Sequence, residues 1–207
     1  MPNCVLKSTL GKREQNKQDK LERITAAARE AFLCKGYEEA TLSEIAHEAR
    51  VAKGTLFLYA SNKGDLLVLV FRSVLQPVVE ADFARALEVP LIERLLIHFN
   101  AIVDYNLEYP QLASPFLKEL SWVPARGREE MIEFIDLWIG GLAAWIQAAQ
   151  AKGDVDPDSD PRLLSLMLVD VFIAAQCRLF SGIENYETFA QNLPTIFGLL
   201  LRGFRPQ

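Results

Sequence analysis

The sequence predicts an all-α protein: a short N-terminal helical unit with a helix-turn-helix pattern, followed by a larger α-helical body. Three observations carry the fold class. Apolar residues recur at spacings of three and four along the 207-residue chain, as a helix with one buried face requires. Alternating β-branched runs of the strand type are absent. Prolines at 77, 90, 110, 115, 124, 157, 161 and 194 punctuate otherwise helical stretches. Half of the residues are hydrophobic and 24% are charged, enough apolar material for a substantial core and too much for a disordered chain.

The elements follow in order. Residues 1–17 form a polar tail whose bases, Lys7, Lys12, Arg13 and Lys17, with Lys20 just beyond, serve either as an arm toward DNA or as a solubilising segment. Leu21, Ile24, Ala28 and Phe32 make one face of a first helix near 18–35, which Gly36 terminates. Thr41 stands three residues before Glu44 in a capping box, and Leu42, Ile45, Ala46 and Ala49 form the inward stripe of a two-turn helix. A second short helical pattern runs from Lys53 to Tyr59 after a tight turn at Arg50-Val51. Ser61 or Asn62 then caps a strongly apolar helix over Leu66–Leu75, with Asp65 in its first turn. Body helices are placed near 78–88, 91–108, 111–122, 126–152, 161–181 and 186–203, and Pro77 either separates the first of these or kinks a helix begun near Lys63. Residues 152–161, rich in Gly, Pro and Asp, form a loop. The implied domains are 18–64 and 65–207.

Charge is divided unevenly. Residues 1–66 hold 11 bases and 9 acids, whereas residues 67–207 hold 11 bases and 18 acids. A weakly basic front on an acidic body points to an anionic partner for the front. Cys4, Cys34 and Cys177 show neither a disulfide framework nor a CxxC pair, which fits a reducing compartment. The longest stretch without charge is Leu137–Ala151, interrupted by Gln147 and Gln150, so no membrane span is expected, nor is a secretory signal; the expected location is cytoplasmic. His47 and His98 lack a second ligand at metal spacing, and GxSxG, GxGxxG and GxxxxGK[ST] do not occur, so no metal, cofactor or enzymatic activity is expected. His98, among Leu95, Leu96, Phe99 and Ile102, reads as a satisfied core histidine ahead of a ligand contact.

Two short helices joined by a tight turn, behind an amphipathic helix, make a helix-turn-helix candidate. Between Ala49 and Gly64 the bases Arg50, Lys53 and Lys63 stand without an acid, as an approach to phosphates demands. The ordered series Phe32, Gly36-Tyr37, Ala40-Thr41-Leu42, Ile45-Ala46, Ala49, Val51, Lys53-Gly54-Thr55-Leu56-Phe57-Leu58-Tyr59 and Asn62-Lys63-Gly64-Asp65-Leu66 resembles the N-terminal domain of the tetracycline-repressor (TetR) family of bacterial transcriptional regulators. The resemblance implies an N-terminal three-helix bundle with the helix-turn-helix, a larger α-helical ligand-binding and dimerisation domain, and a homodimer that binds double-stranded DNA at a palindromic operator and is released by a small-molecule effector. It also implies that Lys53, Gly54 and Thr55 face base edges, that Phe57 and Tyr59 face the groove wall or phosphate, and that Lys63 and Thr41 reach phosphate. Ser43 is a weaker candidate for the same face.

Three departures from the family pattern stand out. Arg50 replaces the usual turn glycine, at a cost of about 1 kcal/mol if left-handed, and is placed to offer a phosphate contact in return. Ala52 replaces a Ser/Thr cap, and Phe57 replaces a frequent Tyr.

In the body, Phe99, Asn100, Tyr105, Trp122, Trp138 and Gln176 are the candidate ligand lining, a mostly apolar set with few polar groups. The last two helices are apolar around more of their circumference than one core needs, so Met167, Val171, Ala174, Ala175, Leu193, Phe197 and Leu200 are the candidate dimer interface. The rival reading is an α-helical enzyme or small-molecule carrier whose N-terminal domain does not bind DNA; a protein-interaction adaptor is the third.

Overall fold

The computed structural model describes residues 11–120 and 128–202. The helices are α1 (Lys12–Lys35), α2 (Leu42–Glu48), α3 (Lys53–Leu56), α4 (Lys63–Ala84), α5 (Leu91–Glu108), α6 (Pro110–Leu120), α7 (Arg128–Lys152), α8 (Pro161–Phe180) and α9 (Tyr186–Arg202). No strand occurs among the described residues.

Helix α1 buries Ile24, Thr25, Ala28 and Phe32, the i, i+4 line anticipated from its apolar spacing. It begins at Lys12, six residues before the expected start, so residues 12–17 continue a helix whose first turns are exposed to solvent rather than forming an irregular tail. Lys7 lies outside the described residues. The capping box at α2 is complete: the Glu44 backbone N–H donates to Thr41 Oγ1 at 3.3 Å, and the Thr41 N–H donates to Glu44 Oε2 at 3.2 Å. Lys35 also reaches Glu44 at 2.7 Å, and the two contacts, Lys35 first, hold the Glu44 carboxyl below its ordinary range.

The turn after α2 is a Schellman motif. Val51 N–H donates to Ala46 O at 3.0 Å and Arg50 N–H to His47 O at 2.9 Å, which places Arg50 at the left-handed position with φ 53°. Helices α7 and α8 end with the same hydrogen-bond pattern on Gly153 (φ 82°) and Gly182 (φ 76°). Arg50 is the one non-glycine residue with positive φ among the described residues, and its Cβ makes this conformation costly. Arg50→Gly is therefore expected to raise the unfolding free energy by up to about 1 kcal/mol in urea titration. Unchanged stability would show that the side chain already offsets the strain.

Asn62 caps α4 by accepting from the Asp65 N–H at 2.9 Å, and Asp65 answers by accepting from the Ser61 N–H at 2.7 Å. From Gly64 to Phe71 every residue of α4 is buried, because α1 packs on one side and α6 and α7 on others. The helix then runs through Pro77 to Ala84. Of the two readings of Pro77, the single helix begun near Lys63 is the one that forms and the separate helix near 78–88 does not: buried Leu75 and Val79 anchor the turns on both sides of the proline, and packing outweighs the lost hydrogen bond. Helix α3 ends at Leu56, three residues before the expected Tyr59, and α4 starts at Lys63, three residues before Leu66, while α5, α8 and α9 start and end within one residue of expectation. Asp160 caps α8 by accepting from the Arg162 and Leu163 N–H groups, with Pro161 in the first turn.

Candidate DNA-binding head and regulatory body

Helices α2 and α3 form a helix-turn-helix whose outer surface is open. Ser43, Arg50, Lys53 and Gly54 are exposed and Thr55 is half-buried, while Ile45, Ala46, Ala49, Leu56 and Ala60 turn inward against α1 and α4. Helix α3 starts without a side-chain cap at Ala52, leaving its first N–H groups free of a side-chain acceptor and pointed at whatever approaches the exposed end. The Thr41 hydroxyl donates to Glu44 Oε2 at 2.9 Å, so its oxygen serves the helix cap. An open groove beside the head is lined by Lys12, Lys17, Lys20, Leu58, Tyr59 and Arg72, with Glu14 and Glu22 also on its walls.

Two aromatic and basic candidates are engaged within the chain. Tyr59 is half-buried and its hydroxyl donates to the Lys17 carbonyl at 3.3 Å, tying α3 to the start of α1. Lys63 turns back over the α1–α2 loop, where its Nζ donates to the carbonyls of Tyr37 at 2.9 Å and Glu38 at 2.7 Å and lies 5.0 Å from the Tyr37 ring centre. One ammonium N–H is left for any other acceptor. Lys63→Met, which keeps the stem but removes the donors, is expected to lower the unfolding free energy by about 1–3 kcal/mol. A variant as stable as the parent would mean that these two bonds contribute nothing net.

The head meets the body through α6 as well as α4. Tyr37 Oη donates to Glu119 Oε1 at 3.1 Å, and burial followed by Glu119 pushes the phenol pKa well above its ordinary value. Arg29 lies over the Tyr109 ring at 5.3 Å, and Phe71 of α4 stacks on Phe116 of α6 at 3.9 Å.

Inside the body, Phe99 and Trp138 are buried and their ring centres lie 5.7 Å apart, with Phe172 and Phe197 against Phe99 at 4.5 and 4.9 Å. Gln176 is buried and its Oε1 accepts from Asn106 Nδ2, forming a polar pair across α5 and α8 that spacing alone did not single out on the Asn106 side. Tyr105 turns toward Phe71 and Tyr109, on another side of α5 from Asn106. Asn100 is exposed and does not join the group, because it falls on the outer face of α5. Trp122 lies outside the described residues.

His98 is the hub that the sequence reading placed in the core without naming its partners. It is fully buried. Trp138 Nε1–H donates to His98 Nε2 at 2.7 Å, so the ring proton sits on Nδ1 and points at Asp82 Oδ2, 3.0 Å away. Burial, which outweighs the Asp82 contact, holds the imidazole pKa below its ordinary value.

The dimer candidates divide. Met167 and Ala174 are exposed and Val171 and Leu200 half-buried, but Ala175, Leu193 and Phe197 face the chain's own core. Apolarity all round α8 and α9 hid which side faces inward. Exposed Leu163 lies on the open side too, with Leu166 and Leu199, which were absent from the expected set. Helices α7 and α8 are each long and apolar enough to cross a membrane by length and composition, although polar residues interrupt both. They pack on each other, and α7 buries Phe134, Trp138, Leu142, Trp145 and Ile146 in the protein core.

Comparison with known proteins fits this geometry. The sequence model of the bacterial regulatory proteins of the tetR family matches residues 24–70, the segment that builds α1 from its first buried residue through α3 into α4. Residues 24–70 carry the DNA-binding segment of the TetR family. The TetR-family helix-turn-helix makes it a DNA-binding transcriptional regulator. The HTH-type transcriptional regulator YhgD of Bacillus subtilis is 25% identical over 158 residues, 75% of this chain and 82% of the relative. The fatty acid metabolism regulator protein of the same organism is 36% identical over 66 residues, 32% of this chain and 34% of the relative. The structure of Thermus thermophilus FadR, a TetR-family repressor in complex with lauroyl-CoA, superposes with a TM-score of 0.74 at 24% identity, covering 90% of this chain and 96% of that one. That likeness concerns the fold, body included.

Proposed function

We propose that this TetR-family regulator is a cytoplasmic homodimeric repressor, held on a palindromic operator by its two heads and released when a small molecule enters the body. The exposed face of α3 within a segment free of acids carries the DNA reading, with residues 18–64 acting as the head and 65–207 as the body. Lys53, Gly54 and Thr55 would meet base edges, with Thr41, Ser43, Arg50 and Phe57 flanking them and Tyr59 and Lys63 chiefly holding the head together.

The open apolar line of α8 and α9, Leu163, Leu166, Met167, Ala174 and Leu199, supports pairing with a second copy. Two-fold pairing sets two recognition helices on one side of the duplex, about 34–36 Å apart for successive major grooves.

The effector reading favours an amphipathic acyl compound. The aromatic interior around Phe99, Trp138, Phe172 and Phe197 suits an apolar chain, and the buried Asn106–Gln176 pair suits a polar group. Two relatives point the same way, one named for fatty acid metabolism and one bound to lauroyl-CoA. Release follows if the ligand binds better to a form in which α6 shifts at the Tyr37–Glu119 and Phe71–Phe116 contacts and carries α4 with it.

The test is a titration of the purified protein against duplex DNA recovered from a randomised pool, repeated across salt concentrations and with lauroyl-CoA added. Steeply salt-dependent binding by a dimer, weakened by lauroyl-CoA, is the expected result. Salt-independent or absent binding removes the DNA reading, and binding indifferent to lauroyl-CoA removes the acyl effector.

A further inference from the structure

We infer that Leu58 is a specificity-determining residue that reads the 5-methyl group of a thymine in the operator, an assignment that rests on the DNA-binding reading of the head. Helical winding does not stop at Leu56. Phe57 N–H donates to Lys53 O at 3.1 Å, Leu58 N–H to Thr55 O at 3.1 Å and Ala60 N–H to Leu56 O at 3.0 Å, so residues 53–60 share one continuous turn pattern.

Leu56 and Ala60 are both fully buried and mark the inward side. At about 100° per residue, Leu58 lies directly opposite their midpoint, on the outermost line of the recognition segment with Gly54 one turn before it. The side chain is accordingly 77% exposed, and Thr55 flanks the line.

A single exposed leucine elsewhere on a protein needs no explanation. Here it occupies the crest of the surface that enters the groove, in a segment carrying Arg50, Lys53 and Lys63 and no acid from Ala49 to Gly64. A leucine offers neither donor nor acceptor to a base edge. The one apolar feature that the major groove presents is the thymine methyl, so contact with it is what this side chain can read.

The test uses the full-length protein and the duplex that it selects from a randomised pool. Each thymine in a half-site is replaced in turn by deoxyuridine, which removes only the methyl, and affinities are measured by fluorescence anisotropy for the parent and for Leu58→Ala. At one thymine per half-site the parent should lose about fourfold in affinity, the worth of one buried methyl, while Leu58→Ala should bind the two duplexes equally. Because Leu58 is exposed, the variant keeps the fold, which circular dichroism checks.

Binding by the parent with no thymine effect, or with the same effect in Leu58→Ala, overturns the assignment and leaves the DNA reading intact. Failure of the parent to select any duplex overturns that reading and this assignment with it.

Discussion

Replacing His98 with alanine is expected to lower the unfolding free energy by about 3–5 kcal/mol, read from urea titration. The loss combines two effects that a second variant separates. Alanine opens a cavity where the imidazole stacks on Phe83 at 5.4 Å and meets Trp145 edge-on at 5.5 Å, and it leaves the Trp138 indole N–H without its acceptor and Asp82 with Arg85 alone among the described residues. His98→Phe fills most of the space but restores neither hydrogen bond, so its expected loss is about 2–3 kcal/mol. A phenylalanine variant as stable as the parent would show that the network adds no net stability.

The same site makes a pH prediction with a definite sign. The unfolded histidine titrates near its ordinary value of 6.5, and burial lowers the folded value below that. The unfolded chain therefore binds the proton first. The contribution of His98 is complete above about pH 6.5 and is lost as the pH falls through the depressed native value. Protonation would also put a second donor against the Trp138 N–H. His98→Phe should remove this part of the acid sensitivity, and an unchanged pH profile would place its origin in other groups.

Gly54→Ala is expected to move stability and DNA affinity in opposite directions. Gly54 lies in α3, and a Cβ built there meets nothing within 4 Å. Its φ lies outside the range that favours glycine, so neither backbone strain nor internal packing requires the residue. Alanine should therefore stabilise the helix by up to about 1 kcal/mol, raising the melting temperature by roughly 2–4 °C in a chain of this size. Under the proposed DNA reading, what the glycine provides is a close approach of backbone to a duplex. The added methyl should cut affinity for the selected duplex by about tenfold or more, measured by anisotropy at fixed salt, comparable to a misplaced base contact. Unchanged affinity would mean that α3 does not seat its outer line against the bases.

The head was legible because its signals are local. The i, i+4 line of α1 and the capping box at Thr41 involve residues within four positions of each other, and both stand as read. Arg50 was recognised as occupying a glycine's place, and its φ of 53° bears that out. Lys63 shows the limit. Its position at the start of α4 was plain, but the carbonyls of Tyr37 and Glu38 that engage it lie 26 and 25 positions away in the chain.

In the body, periodicity located the helices but not their orientation. An apolar residue on α9 reads alike whether it enters the core, as Phe197 does, or stays open, as Leu199 does. Pro77 left a break and a continuous helix both open, and the burial of Leu75 and Val79 decided for the continuous one.

Gly141 shows the same division from the other side. Its absent side chain leaves room for the Phe83 ring, which a Cβ would meet at 2.1 Å, a contact between residues 58 positions apart. Sequence by itself determined where the chain winds, where it is capped and which segment carries cations without acids, since these follow from neighbours along the backbone. Tertiary structure alone decided which apolar faces are spent inside, which polar groups pair across helices and which side of α3 is left to meet a partner. Those outcomes depend on surfaces that only the folded chain brings together.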